Sequence, residues 1–316
     1  MPQVGIIGAG LIGRAWAIVF ARAGWDAMLY DADPAQSRRA KALIAAGLSD
    51  LAAHGLLDAA GAQSAAARVQ LAAELPAAVA RADFVQENLP ETVEAKTAIF
   101  RELDRLAPQD IVLASSTSAI VASRFTADLP GRARCLVAHP VNPPHLVPLV
   151  ELVGAPWTAA GTIARAKAVY EQLGQVPIVV RREIEGFILN RLQGALIAEA
   201  FRLVGEGYVS AQDLDKTVKD GLGLRWSFLG PFETIELNAP GGIADYCARY
   251  ASFYRRLQAA PAGPEVFGPA NIERVLAQWG EQADPARLAA RTRWRDGRLA
   301  ALLAHKRGQP NNERET

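Results

Sequence analysis

Cysteine is scarce in this chain. There are two in 316 residues, Cys135 and Cys247, far apart and without metal-ligand spacing, so neither a disulfide framework nor a cysteine metal site is expected. A reduced, cytoplasmic setting fits. Neither sign of charge predominates: 34 Lys and Arg stand against 33 Asp and Glu, for a net charge of +1, and the two signs are interspersed. That balance argues against nucleic acid or an anionic membrane surface as a partner. No apolar run approaches the roughly 20 residues that cross a bilayer, and the first strand begins so close to Met1 that no signal sequence is expected. No internal repeat is present. His139 and His145 have no His, Cys or Asp cluster around them, so no metal is expected.

What is present begins at once. The apolar run Val4 to Ile7 feeds Gly8-Ala9-Gly10-Leu11-Ile12-Gly13, an apolar helical stretch runs from Leu11 to Ala23, and Asp31 closes a second apolar run, Ala27 to Tyr30. A lone GxGxxG is weak evidence. Between a strand and a helix, with an acid about 20 residues on, it reads as a dinucleotide-binding βαβ unit. Gly8 permits the tight turn, Gly10 lets the backbone approach a pyrophosphate, and Gly13 lets the helix pack closely on the strand. The helix N-terminus offers free N–H groups to the phosphates. Asp31 would accept the adenosine ribose hydroxyls and repel a 2′-phosphate, which favours NAD, although Arg38 and Arg39 lie near enough in sequence to leave NADP open.

At this length a nucleotide-binding domain plus a second domain is the natural expectation. Strands are expected at Gln3 to Gly8, Asp26 to Asp31, Arg68 to Leu71, Asp83 to Glu87, Ile111 to Ser115, Cys135 to His139, Val150 to Val153 and Pro177 to Val180. Alternating with helical stretches, they predict an α/β fold, a Rossmann-type doubly wound parallel sheet covered on both faces. After Arg182 long helical patterns take over, Phe187 to Glu206 and Ala211 to Lys219, interrupted by Gly and Pro clusters. The expected division is therefore a nucleotide-binding domain over 1–183 and a smaller all-α domain over 184–316, with a disordered polar tail from Gly308 to Thr316.

Four places can carry chemistry. Ser115-Ser116-Thr117-Ser118 follows an apolar strand, at the carboxyl end of the sheet where such folds bind ligands. His139 follows another strand. Glu151 is an acid inside the apolar run Val150 to Val153, and a lone buried charge is costly unless paired. Asn190 lies near the start of the helical half. Taken singly, His139 reads equally as a loop histidine, Ser118 as a helix cap and Asn190 as a polar surface residue. Together they offer a base, a carboxylate to orient it, and two neutral hydrogen-bonding groups for a substrate oxygen.

At these residues the chain resembles the 3-hydroxyacyl-CoA dehydrogenase family, and more closely its branch containing lambda-crystallin and L-gulonate 3-dehydrogenase. The resemblance rests on GAGLIG, ENLPETVEAK, SSTSA, HPVNPP followed by LVELV, GFILNRL and GLGLRWSFLGPFET, in the family's order. It implies a catalytic set of Ser118, His139, Glu151 and Asn190, cofactor contacts at Leu11, Ile12, Asp31, Glu91 and Lys96, NAD as cofactor, and a homodimer formed through the helical domain. SSTS stands where many acyl-CoA members have NTS, which leaves Ser118 matched and Ser116 an open question as a helper.

The substrate is the harder matter. Acyl-CoA members carry a lysine-rich helical hairpin, whereas Ala42 to Val79 contains only Arg68 among Lys and Arg. Arg225, in Gly223-Leu224-Arg225-Trp226, lies in a motif shared with the branch that acts on free acids, and its guanidinium can grip a carboxylate with two parallel hydrogen bonds. Its plainer role is a helix C-terminal cation or a structural ion pair. The expectation is NAD-dependent oxidation of a small free L-3-hydroxy acid, L-gulonate leading. An L-3-hydroxyacyl-CoA dehydrogenase and a non-catalytic crystallin-like protein remain the alternatives.

Overall fold

The computed structural model describes residues 1–280 and 284–309. Among these, β1 (Gln3–Ile7), β2 (Asp26–Tyr30), β3 (Val69–Leu71), β4 (Phe84–Glu87), β5 (Val112–Ser115), β6 (Cys135–Pro140), β7 (Leu149–Gly154) and β8 (Val176–Val180) form one sheet in the order β3-β2-β1-β4-β5-β6-β7-β8. The helices between them are α1 (Leu11–Arg22), α2 (Pro34–Ala53), α3 (Ala59–Ala67), α4 (Leu75–Val79), α5 (Val93–Leu106), α6 (Ser123–Thr126) and α7 (Ala160–Gln172). All neighbouring strands run parallel except β6 and β7, which are antiparallel. All eight expected strands form, so the doubly wound α/β reading is borne out. The reversed strand is the departure from a fully parallel sheet. Its cause is chain length: residues 141–148 make a short return between β6 and β7, and a parallel crossover needs a dozen residues or more.

Strand alternation builds a core on each face. Phe84 joins Val4, Ile6, Trp16, Phe20, Leu29, Leu48 and Tyr170 on one side, under α1, α2, α3 and α7. Its neighbour Val85 joins Ile7, Val79, Phe100, Leu113, Phe125 and Val137 on the other, under α4, α5 and α6. Each large apolar side chain so buried contributes about 1.5–3 kcal/mol. Local signals place the helices on this frame. Asp33 caps α2 by accepting from Ala35 N at 2.8 Å, with Pro34 in the first turn, and Thr92 caps α5 by accepting from Ala95 N at 3.2 Å.

The rest of the described chain is helical: α8 (Leu189–Gly205), α9 (Ala211–Lys216), α10 (Gly223–Arg225), α11 (Pro231–Leu237), α12 (Gly242–Leu257), α13 (Pro269–Trp279) and α14 (Pro285–Arg307). Two compact units result. The first takes Met1–Ile188 and the chain from Pro285 onward, and the second is Leu189–Asp284. The helical region thus differs from the 184–316 expected, because α14 returns to the first unit. There Ala300 is buried in the core and Leu299, Leu303 and Ala304 pack against it. Of the tail expected from Gly308 to Thr316, residues 310–316 lie outside the described residues. Among the described residues no helix is long and apolar enough to cross a membrane.

Candidate active site

Register brings two of the predicted site residues together. Along the antiparallel β6–β7 pair His139 faces Glu151 directly, and His139 Nδ1 lies 2.7 Å from Glu151 Oε2 with both side chains buried. An ionised carboxylate only accepts, so Nδ1 carries the proton and Nε2 holds the lone pair, the tautomer a base requires. The other carboxylate oxygen is held as well, since Ile188 N donates to Glu151 Oε1 at 2.8 Å. That amide is aimed by two successive residues with positive φ, Gly186 at 75° and Phe187 at 50°. Positive φ is ordinary for glycine and strained for phenylalanine. Phe187 repays the strain by burying fully, its ring 5.4 Å from the imidazole of His139. The lone acid in an apolar strand is therefore paired on both oxygens, as burial demands.

The serine turn follows β5. Glu91 Oε1 accepts from Ser118 N at 3.0 Å, from Ala119 N at 3.1 Å and from the Thr117 hydroxyl. Glu91, expected at the cofactor, thus also shapes the turn that presents exposed Ser118. Lys96 is buried on α5. Its ammonium donates to Glu87 Oε1 at 2.8 Å, Glu87 Oε2 at 3.0 Å and Leu89 O at 2.9 Å, while Ser115 Oγ donates to Glu87 Oε2 at 2.6 Å. Glu87, Ile188 and Phe187 were not among the residues singled out from the sequence. An acid ending an apolar strand with a lysine nine residues later was the available signal for the first. Nothing local announces the other two.

The dinucleotide turn has the shape its ligand needs. Gly8 has φ 95°, a Cβ on Gly13 would collide with the Gly8 carbonyl oxygen, and the space over Gly10 is open at the N-terminus of α1. Asp31 is aimed by its own backbone neighbours, its Oδ2 accepting from Ala9 N at 2.8 Å and its Oδ1 from Asp33 N at 3.0 Å. Each oxygen keeps a lone pair for a ribose hydroxyl. The residues present fit a dinucleotide.

The loop between His139 and Glu151 is pinned from below. Arg22, at the end of α1, donates to His145 O at 2.7 Å. Burial and the nearby Arg22 charge push the His145 imidazole down to about 4, and its Nδ1 is buried without a hydrogen-bond partner. Cys135 is also buried, which pushes its thiol up to about 12 and makes it unreactive, whereas Cys247 is exposed. Asn190 and Arg225 belong to the second unit. Asn190 is the second residue of α8, and Arg225 ends α10 directly after a π-helical turn, Thr217–Leu222.

The chain matches the family model for the 3-hydroxyacyl-CoA dehydrogenase NAD-binding domain over residues 3–184 and that for the C-terminal domain over 186–282. It is 43% identical over 310 residues to the lambda-crystallin homolog of Bos taurus, covering 97% of this chain and 96% of that one. To an L-carnitine dehydrogenase of Pseudomonas aeruginosa it is 36% identical over 298 residues, covering 94% and 91%. Among solved structures it is similar to a 5-formyl-3-hydroxy-2-methylpyridine 4-carboxylic acid 5-dehydrogenase, an NAD+-dependent dismutase, with a TM-score of 0.85 at 29% identity over 98% of this chain and all of that one. A buried histidine–carboxylate pair on the same sheet as a dinucleotide turn, together with matches along nearly the whole chain, makes this protein a member of the 3-hydroxyacyl-CoA dehydrogenase family, an NAD-dependent dehydrogenase that oxidises a hydroxyl group.

Proposed function

We propose that the protein oxidises the 3-hydroxyl of a small free L-3-hydroxy acid to the 3-keto acid, with L-gulonate the leading candidate. The observation that carries the chemistry is the 2.7 Å His139–Glu151 pair. Nε2 of His139 takes the hydroxyl proton, and Glu151, ionised and held by Ile188 N, orients the ring and stabilises the imidazolium. Bound NAD supplies the hydride acceptor. Ser118 and Asn190, at the family's motif positions, hydrogen-bond the reacting oxygen. Gly8, Gly10, Leu11, Ile12, Gly13, Asp31, Glu91 and Lys96 form the cofactor side.

Support for a free acid comes from three directions. The Ala42 to Val79 stretch has one basic residue where a nucleotide 3′-phosphate would call for several. One relative is named for L-carnitine, itself a free 3-hydroxy acid, and a structural neighbour is named for a pyridine carboxylic acid. Arg225 is assigned to the substrate carboxylate. The family model's own description favours a second reading, an L-3-hydroxyacyl-CoA dehydrogenase, and likeness to lambda-crystallin favours a third, a crystallin-like protein that does not turn over substrate. The working form proposed is a cytoplasmic homodimer.

The deciding experiment is a panel of L-gulonate, L-threonate, L-3-hydroxybutyrate and a short L-3-hydroxyacyl-CoA, followed by NADH absorbance. Higher kcat/KM for a free acid is expected. Arg225→Met should lower that value by about 1.5–3 kcal/mol in transition-state terms, the range for a hydrogen bond to a charged group, with NAD binding little changed. A better thioester overturns the free-acid reading, equal indifference of acid and thioester to the substitution removes the clamp, and any turnover excludes the crystallin-like reading.

A further inference from the structure

We propose that Ser116 is a positioning residue that ties the serine turn to the dinucleotide turn, so that Ser118 and the cofactor-binding helix are set by one shared hydroxyl. The inference rests on the catalytic reading of Ser118. A serine hydroxyl has one proton and two lone pairs. At Ser116 all three are used: Oγ accepts from Trp16 Nε1 at 2.9 Å and from Gln86 Nε2 at 2.7 Å, and donates to Asn88 Oδ1 at 2.8 Å. Each partner leads to a different wall. Trp16 is fully buried on α1, the helix whose N-terminus opens at Gly10, with its ring 5.3 Å from that of Tyr170. Gln86 ends its other arm on the Tyr170 hydroxyl. Asn88 Nδ2 donates to Ile7 O at 3.2 Å and Gln86 O at 2.9 Å, and its backbone lies so close to Gly8 that a Cβ there would stand 2.8 Å from the Asn88 carbonyl oxygen.

The division of labour along the motif is sharp. Ser115 serves Glu87, Thr117 serves Glu91, and Ser116 reaches α1. Without its hydroxyl, two buried donors lose their acceptor and Asn88 Oδ1 loses the Ser116 proton. An incompletely satisfied buried network rearranges rather than remaining in place. The displacement reaches Ser118 two residues on one side and the turn at Gly8 on the other.

The test uses the full chain, the best substrate of the panel and three readouts: kcat, the Kd for NADH, and the emission of bound NADH. Ser116→Ala is expected to lower kcat about tenfold with NADH Kd held within about threefold, and to change the emission of the bound nicotinamide. Ser116→Thr, which keeps a hydroxyl, recovers most of the rate. Trp16→Phe removes one donor, lowers kcat in the same direction, and adds less in the Ser116→Ala background than alone, as members of one network do. It also stands in if Ser116→Ala fails to fold. The proposal is overturned if both variants keep kcat within about twofold of the parent, including the case in which NADH affinity alone falls, which marks a role in cofactor binding only. Emission needs no hydroxy acid. A parent that turns over nothing on the panel defeats the functional reading, and unchanged emission in Ser116→Ala then defeats this one separately.

Discussion

At the scale of single residues, the His139–Glu151 pair makes the sharpest demand. A positioned acid–base group contributes about two to four orders of magnitude, so His139→Ala should lower kcat by that factor with NADH affinity nearly unchanged. Glu151→Gln keeps the shape and an acceptor for Ile188 N but removes the charge facing the imidazolium, so the protein should fold and turn over slowly. Steady-state kinetics beside an NADH titration checks both, and near-normal turnover in His139→Ala would take this histidine out of the mechanism. His145 matters for stability rather than rate. Its imidazole sits at about 4 in the folded chain against 6.5 ordinarily, because burial and Arg22 oppose a second positive charge. Between those values the unfolded chain binds a proton that the folded chain refuses. The stabilising contribution is complete above about 6.5 and is lost as pH falls through 4, amounting to about 3 kcal/mol. Urea unfolding of the parent and of His145→Asn at pH 7 and pH 5 should show the steeper loss in the parent; equal pH slopes would contradict the assignment.

At the scale of elements, the turn from β1 into α1 sets cofactor choice through Asp31. Its carboxylate is fixed by Ala9 N and Asp33 N, so it cannot swing clear of a 2′-phosphate. NAD should exceed NADP by at least about tenfold in kcat/KM, a difference of roughly 1.4 kcal/mol, and Asp31→Ser should narrow the gap. Equal use of both cofactors by the parent would refute the ribose assignment. The same turn shows why so much of the fold was legible. Glycine spacing, β-rich runs and an acid at the end of β2 are local signals, and all eight strands formed within a residue or so of expectation. What stayed hidden depends on partners distant in sequence. The direction of β7 leaves no mark in periodicity, so Glu151 could be recognised as an acid needing a partner before the partner was known to be its cross-strand neighbour. GFILNRL reads as the start of a helix, yet Gly186 and Phe187 take left-handed backbone and α8 begins only at Leu189. Ala211 to Lys219 reads as one regular helix, yet π-helical geometry takes over at Thr217.

At the scale of the molecule, several large apolar side chains of the second unit are exposed on the single chain. Phe228, Phe232 and Leu237 are exposed, and α12 presents Tyr250, Phe253, Tyr254 and Leu257. Exposed apolar side chains, where they gather into one patch, mark association surfaces. Light scattering on the purified chain should give twice the 33.8 kDa of one copy, and Phe232→Glu with Phe253→Glu should shift the mass toward the monomer. A monomeric parent at micromolar concentration would rule out the homodimer. The return of α14 to the first unit also has a meaning in time. Chains emerge from the ribosome N-terminus first, and domains tend to fold as units while synthesis proceeds. Here the first unit cannot be finished in that order, since Ala300 and its neighbours, which complete its core, are made only after every residue of the second unit. During translation the dinucleotide turn and the His139–Glu151 hairpin exist on a body still missing one wall, and the helical segment between must be made before the last piece arrives.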